Sequence, residues 1–81
     1  MYYTYIIKSS VASGQVYIGH TSDLKNRLKS HNSGESIHTK KFKPWWLEFY
    51  AAFIDKKKAI DFEKYLKSGS GRAFTKKHFF K

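Results

Sequence analysis

The segment Tyr2 to Lys8 alternates β-forming side chains with a period of two, setting Tyr3, Tyr5 and Ile7 on one face and Tyr2, Thr4 and Ile6 on the other. A strand is the only regular element that separates those residues cleanly. Ser9 to Gln15, with three serines and Gly14, is short enough to return the chain antiparallel into a second strand, Val16 to His20. Thr21, Ser22 and Asp23 then offer N-cap oxygens to a helix reaching about Asn32, which Gly34 closes. The polar, basic stretch Glu35 to Pro44 predicts a mobile loop ahead of a third strand, Trp45 to Ile54. Asp55 can cap a second helix, and Ser68-Gly69-Ser70-Gly71 breaks it before a basic tail helix from Arg72 to about Phe79. The order ββαβαα predicts an α+β fold: one domain over residues 1–81, with a small three-stranded antiparallel sheet flanked by helices.

One acid stands out against this background. The chain has six Asp plus Glu against sixteen Lys plus Arg, and one of the six, Glu63, interrupts the apolar stripe Ala59, Phe62, Glu63, Leu66 of the second helix. A carboxylate on an inward face is costly unless a cation or a metal ion meets it. There is no cysteine, so disulfides and thiolate metal sites are excluded and any metal must use O or N ligands. The net charge of +10 favours a polyanionic partner, nucleic acid first. The amino terminus lacks signal-peptide character and no stretch approaches the roughly 18 apolar residues of a membrane span, so a soluble cytoplasmic protein is expected. On the first helix Arg27 and His31 are four residues apart and look into one cleft, with Leu24 and Leu28 anchoring the helix beneath them.

Tyr3-Thr4-Tyr5, then Tyr17-Ile18-Gly19, then Asp23 to Gly34 with Arg27 and His31, and finally Glu63 on a later helix follow one another at spacings that resemble the GIY-YIG nuclease family over nearly the whole chain. The pattern is similar to short stand-alone members related to the amino-terminal nuclease domain of the UvrC excinuclease subunit. The resemblance implies metal-dependent hydrolysis of phosphodiester bonds in DNA, in repair, recombination or mobile-element defence. It implies that Glu63 holds Mg²⁺ or Mn²⁺, that Arg27 binds the scissile phosphate, and that Tyr5 and Tyr17 orient or deprotonate the attacking water, with His31 as a further catalytic candidate. Gly19 matches the glycine of the second signature. Lys8, Lys40, Lys41, Lys43 and Arg72 are candidate nucleic-acid contacts. The first signature departs from the family pattern in reading Tyr-Thr-Tyr, and the asparagine that many members carry after the glutamate helix is missing. The appended DNA-binding domains of larger relatives are not expected here, so targeting is expected to come from this module, from DNA shape or from a protein partner.

Other readings stand beside this one. The tyrosines can be sheet aromatics, and Glu63 can be the structural ion-pair partner of Arg27. Trp45 and Trp46 can pack in the core or stack on bases. The whole domain can be a non-catalytic nucleic-acid-binding module, or a peripheral binder of anionic membranes through its tail from Arg72 to Phe80.

Overall fold

The computed structural model describes residues 1–78. The elements are β1 (Tyr2–Ser9), β2 (Val16–Thr21), α1 (Leu24–Ser33), one 3₁₀ turn (Lys40–Phe42), β3 (Trp45–Phe53), α2 (Lys56–Lys67) and α3 (Gly69–His78). They build the expected α+β fold. The sheet is antiparallel throughout in the order β2-β1-β3, so the first strand lies at its centre. Tyr5 stands opposite Gly19 on β2 and Tyr50 on β3, and Ile7 opposite Tyr17 and Leu47.

The period-two pattern of β1 divides two packing layers. Tyr5 and Ile7 join buried Trp45, with Tyr17, Leu24, Leu28, Phe42 and Leu47 packed around them. Leu24 and Leu28 thus seat α1 on this face, as their spacing predicts. The opposite side faces α2, where buried Ala59 and Leu66 are joined by Phe62, whose ring meets Phe49 and Phe53 at centroid distances of 6.4 and 5.7 Å. Thr4, fully buried, donates its hydroxyl to the Ala59 carbonyl at 2.5 Å and ties α2 to the central strand. A buried threonine is tolerated only because its hydroxyl finds that acceptor.

Caps mark the helices where the sequence places them. Asp23 accepts from the Asn26 amide at 3.1 Å and Asp55 from the Lys57 amide at 3.0 Å, while Gly34 ends α1 in the left-handed conformation, φ 83°. Two expectations fail. The Ser-Gly stretch does not separate α2 from a helix beginning at Arg72: α3 starts at Gly69, and Ser68 alone intervenes. Ser68 serves both ends, donating to the Tyr65 carbonyl and accepting from the Gly71 amide at 3.2 Å. The expected end of that helix at Phe79 lies outside the described residues.

The supposed mobile loop is likewise tied down. Trp45 Nε1 donates to the Thr39 carbonyl at 2.8 Å, Ser9 Oγ to the Phe42 carbonyl at 2.6 Å, and the Ser10 amide to the Pro44 carbonyl at 3.0 Å. Asn32 brackets Trp45 by bonding both its amide and its carbonyl. A polar composition indicated solvent, but these carbonyls have protein partners. The tryptophan pair divides: Trp45 is core, whereas Trp46 is exposed.

Candidate active site

On the α1 side of the sheet, four predicted residues meet. Tyr5, only 1% exposed, places its phenol oxygen 2.8 Å from His31 Nε2. His31, fully buried, places Nδ1 2.7 Å from Thr39 Oγ1. Both imidazole nitrogens are therefore held by hydroxyls, one bond donating and the other accepting in either neutral tautomer. Tyr17 packs its ring 5.1 Å from that of His31 and 6.4 Å from that of Tyr5. Arg27, one helical turn before His31, lies close enough to interact electrostatically with Tyr5 and Tyr17.

Gly19 allows this closeness. A Cβ there would stand 2.7 Å from Tyr5 Oη and 3.0 Å from Tyr17 Cε2, so both phenols occupy the space that a side chain would need. The reason for glycine is steric, not conformational.

The electrostatics follow from burial and from Arg27. Burial pushes the Tyr5 phenol above its ordinary pKa despite the lowering influence of Arg27. Burial, helped by the Arg27 charge, brings His31 down from 6.5 to about 4, leaving the ring neutral at pH 7. Interaction with the Tyr5 phenol raises Arg27 further above its already high value.

Glu63 comes from the other face. It does not sink into the apolar stripe but lies at the margin of α2, its side chain 17% exposed, where α2 passes the edge strand β2. Oε1 is 2.6 Å from His20 Nδ1, and Oε2 accepts from Lys67 Nζ at 2.7 Å. Partial burial alone would raise its pKa, but the hydrogen bonds from Lys67 and His20 outweigh that and hold the carboxyl low. Its charge is felt at Tyr5. The ion pair expected with Arg27 as a purely structural alternative is replaced: among the described residues the carboxylate's partners are His20 and Lys67. Side chains four residues apart on α2 explain Lys67, and the step past Gly19 to the next residue of β2 explains His20.

The predicted basic contacts do not gather into one patch. Lys40 and Lys43 flank Gly34 at the carboxyl end of α1, where cations complement the helix dipole. Lys41 is exposed on the same 3₁₀ turn, and Lys8 lies half-buried on β1 between Val16 and Trp46. Arg72 lines a groove at the outer edge of β2 with Lys67, Val16, Tyr17 and Ile18. Thr39 and Lys67 were missed from sequence. A basic residue at i+4 from Glu63 was the one readable signal, for Lys67.

The class defined by this arrangement is a small α+β domain whose polar cluster converges, from both faces of an antiparallel sheet, on one edge strand. The chain belongs to the GIY-YIG family: the family model described as the GIY-YIG catalytic domain matches residues 1–77. It is 36% identical over 63 residues to a UPF0213 protein of Bacillus pumilus, a match covering 76% of this chain and 62% of that protein's length. It is 33% identical over 72 residues to a UPF0213 protein of Streptococcus agalactiae, covering 88% of this chain and 80% of the relative. With the UPF0213 protein YazA of Bacillus subtilis it shares 36% identity over 67 residues, 82% of this chain and 66% of the relative. Family membership supports a nuclease. No helix among the described residues is long and apolar enough to cross a membrane.

Proposed function

We propose that the domain is a divalent-metal-dependent endonuclease that hydrolyses phosphodiester bonds in DNA. The observation that carries the reading is the convergence of Tyr5, Tyr17, Arg27 and His31 into one interacting cluster, with the Glu63 carboxylate within electrostatic reach of Tyr5. Arg27 supplies a planar, permanently charged fork for phosphate oxygens. The two tyrosines take different parts. Tyr17, half-buried and lining the edge groove, is the phenol that substrate can approach. Tyr5 is buried and poor at ionising, and neutral His31 beside it, with a pKa of about 4, is a weak proton acceptor, so Tyr5 orients groups in the site rather than deprotonating water. Its phenol is held by His31 Nε2, and Thr39 Oγ1 fixes the other ring nitrogen. His31 is thus a positioning residue for Tyr5.

Glu63 suits a hard divalent ion as its single carboxylate ligand. Each of its oxygens accepts one hydrogen bond and keeps a further lone pair, and Mg²⁺ ordinarily retains several waters. No group of three His, Cys, Asp or Glu side chains able to hold a metal occurs among the described residues, so water and substrate phosphate must complete the shell. Bound there, Mg²⁺ or Mn²⁺ supplies charge neutralisation at phosphate and a more acidic water.

The alternative, a binding module without catalysis, draws on one observation: both Glu63 oxygens are already engaged by His20 and Lys67. Cleavage of labelled duplex, branched and single-stranded DNA with Mg²⁺, Mn²⁺ or EDTA separates the two. Nicking that needs metal, is abolished in Glu63→Gln, and falls roughly 10²- to 10³-fold in Arg27→Ala is expected of the nuclease. Binding without cleavage in any metal, or full activity in Glu63→Gln, would sink it.

A further inference from the structure

The groove at the outer edge of β2 joins both halves of the cluster. Its walls are Val16, Tyr17 and Ile18 on one side and Lys67 and Arg72 on the other, around about 260 Å³. Tyr17 packs against His31 and Tyr5, and Lys67 holds the Glu63 carboxylate. Anything bound in the groove therefore lies directly beside the proposed reaction centre. Its size falls just under the roughly 300 to 1,000 Å³ of small-molecule pockets, so it suits a fragment of a longer ligand rather than a whole one.

Its chemistry is divided. The floor is aromatic and aliphatic, with Val16 41% exposed, while the far wall carries two cations. Arg72 is fixed at the start of α3: its Nε donates to the Lys67 carbonyl at 3.2 Å, and its amide bonds the Ser68 carbonyl at 2.9 Å. One guanidinium nitrogen is spent on that carbonyl, and the four N–H groups of the other two nitrogens retain donor capacity. An apolar floor beneath a sugar and a fixed guanidinium against a phosphate match the alternating character of a nucleic-acid backbone. A small apolar ligand would leave the cations unused, and a bare anion would leave the floor exposed.

We infer that the groove between β2 and the α2–α3 corner seats the sugar–phosphate backbone of the bound DNA strand next to the reaction centre, with Arg72 on the neighbouring phosphate. The inference rests on DNA being the partner, which the nuclease and binding-module readings share, and it needs no cleavage.

Fluorescence anisotropy of labelled DNA in EDTA, read as affinity against salt, tests it. Arg72→Gln removes the cation, and Val16→Glu sets a carboxylate on the opposite wall without touching the corner that Arg72 helps to hold. Lys29→Gln, an exposed cation on α1 beside a different hollow, is the control for bare charge. Thermal melting of each variant confirms folding. The expected result is affinity lower by roughly threefold or more in both groove variants than in the control, and a log–log salt slope shallower by about 1 in Arg72→Gln than in wild type. Groove variants that bind no more weakly than Lys29→Gln overturn the inference, as does a wild-type protein that does not bind DNA. Wild-type cleavage with the groove variants unaffected would leave the nuclease standing and remove the groove; groove-dependent binding without cleavage would do the reverse.

Discussion

At Gly19 one hydrogen stands where a methyl group would press on two phenols. A Cβ 2.7 Å from Tyr5 Oη and 2.9 Å from Tyr5 Cζ cannot be absorbed by a flexible side-chain end, because Tyr5 is itself buried and bonded to His31. Gly19→Ala is expected to cost roughly 1 to 3 kcal/mol in denaturant unfolding, as overpacking does. It should also lower any cleavage rate by about 10²-fold, since displacements of the order of 1 Å at a positioning group are that costly. A variant with wild-type stability and activity would show that the phenols are not held as described. Residue-scale roles of this kind came partly from the sequence. Tyr5, Tyr17 and Arg27 could be picked out because the resemblance to the GIY-YIG motifs implies them, and His31 because it lies at i+4 from Arg27 on one helix face. Thr39, which holds the far side of the imidazole, carried no local signal at all.

At the scale of elements, the junction of α2 and α3 decides where Lys67 and Arg72 stand. Gly71, buried in the first turns of α3, lies so close to the end of α2 that an added Cβ would overlap the Tyr65 carbonyl oxygen and the Leu66 Cα. Those are backbone atoms with nowhere to go. In an exposed helix, Gly→Ala gains about 1 kcal/mol in propensity. Here the overlap should outweigh that gain, and Gly71→Ala is expected to destabilise by roughly 2 kcal/mol or more, measured as a lower denaturation midpoint. A midpoint raised by the substitution would mean that the helices are not packed this closely. The Ser-Gly composition of this stretch suggested a break, because Gly and Ser are common in loops. Packing reversed the meaning: glycine is there for proximity between helices, and Ser68 alone turns the chain.

For the whole molecule, acid should be destabilising from both faces of the sheet. His31 has a folded pKa of about 4 against an ordinary 6.5, so between those values the unfolded chain takes up the proton and the folded one resists it. Stability from this group is full above the unfolded pKa and falls as pH drops. Glu63 acts in the same direction: its pKa is held low, so its contribution is present above the ordinary carboxylate range and is lost as pH falls through the folded value. Unfolding free energy should fall by roughly 2 to 3 kcal/mol between pH 7 and 4.5 on account of His31 alone. Chemical denaturation across that range checks it, and His31→Gln should flatten the slope; an equally steep slope in the variant would rule His31 out as its source.

The sequence by itself determined the strands, the caps and the first two helices, because alternation, N-cap oxygens and the 3.6-residue period act over a few residues. It also determined that a carboxylate in the stripe of α2 needed a positive partner, since burying charge is costly in any fold. Only the tertiary structure decided which partner. His20 and Glu63 lie 43 residues apart and meet because β2 is an edge strand that α2 passes on the face opposite Arg27. Strand order and helix placement are settled by the packing of two apolar layers on β1, and no local pattern carries that information.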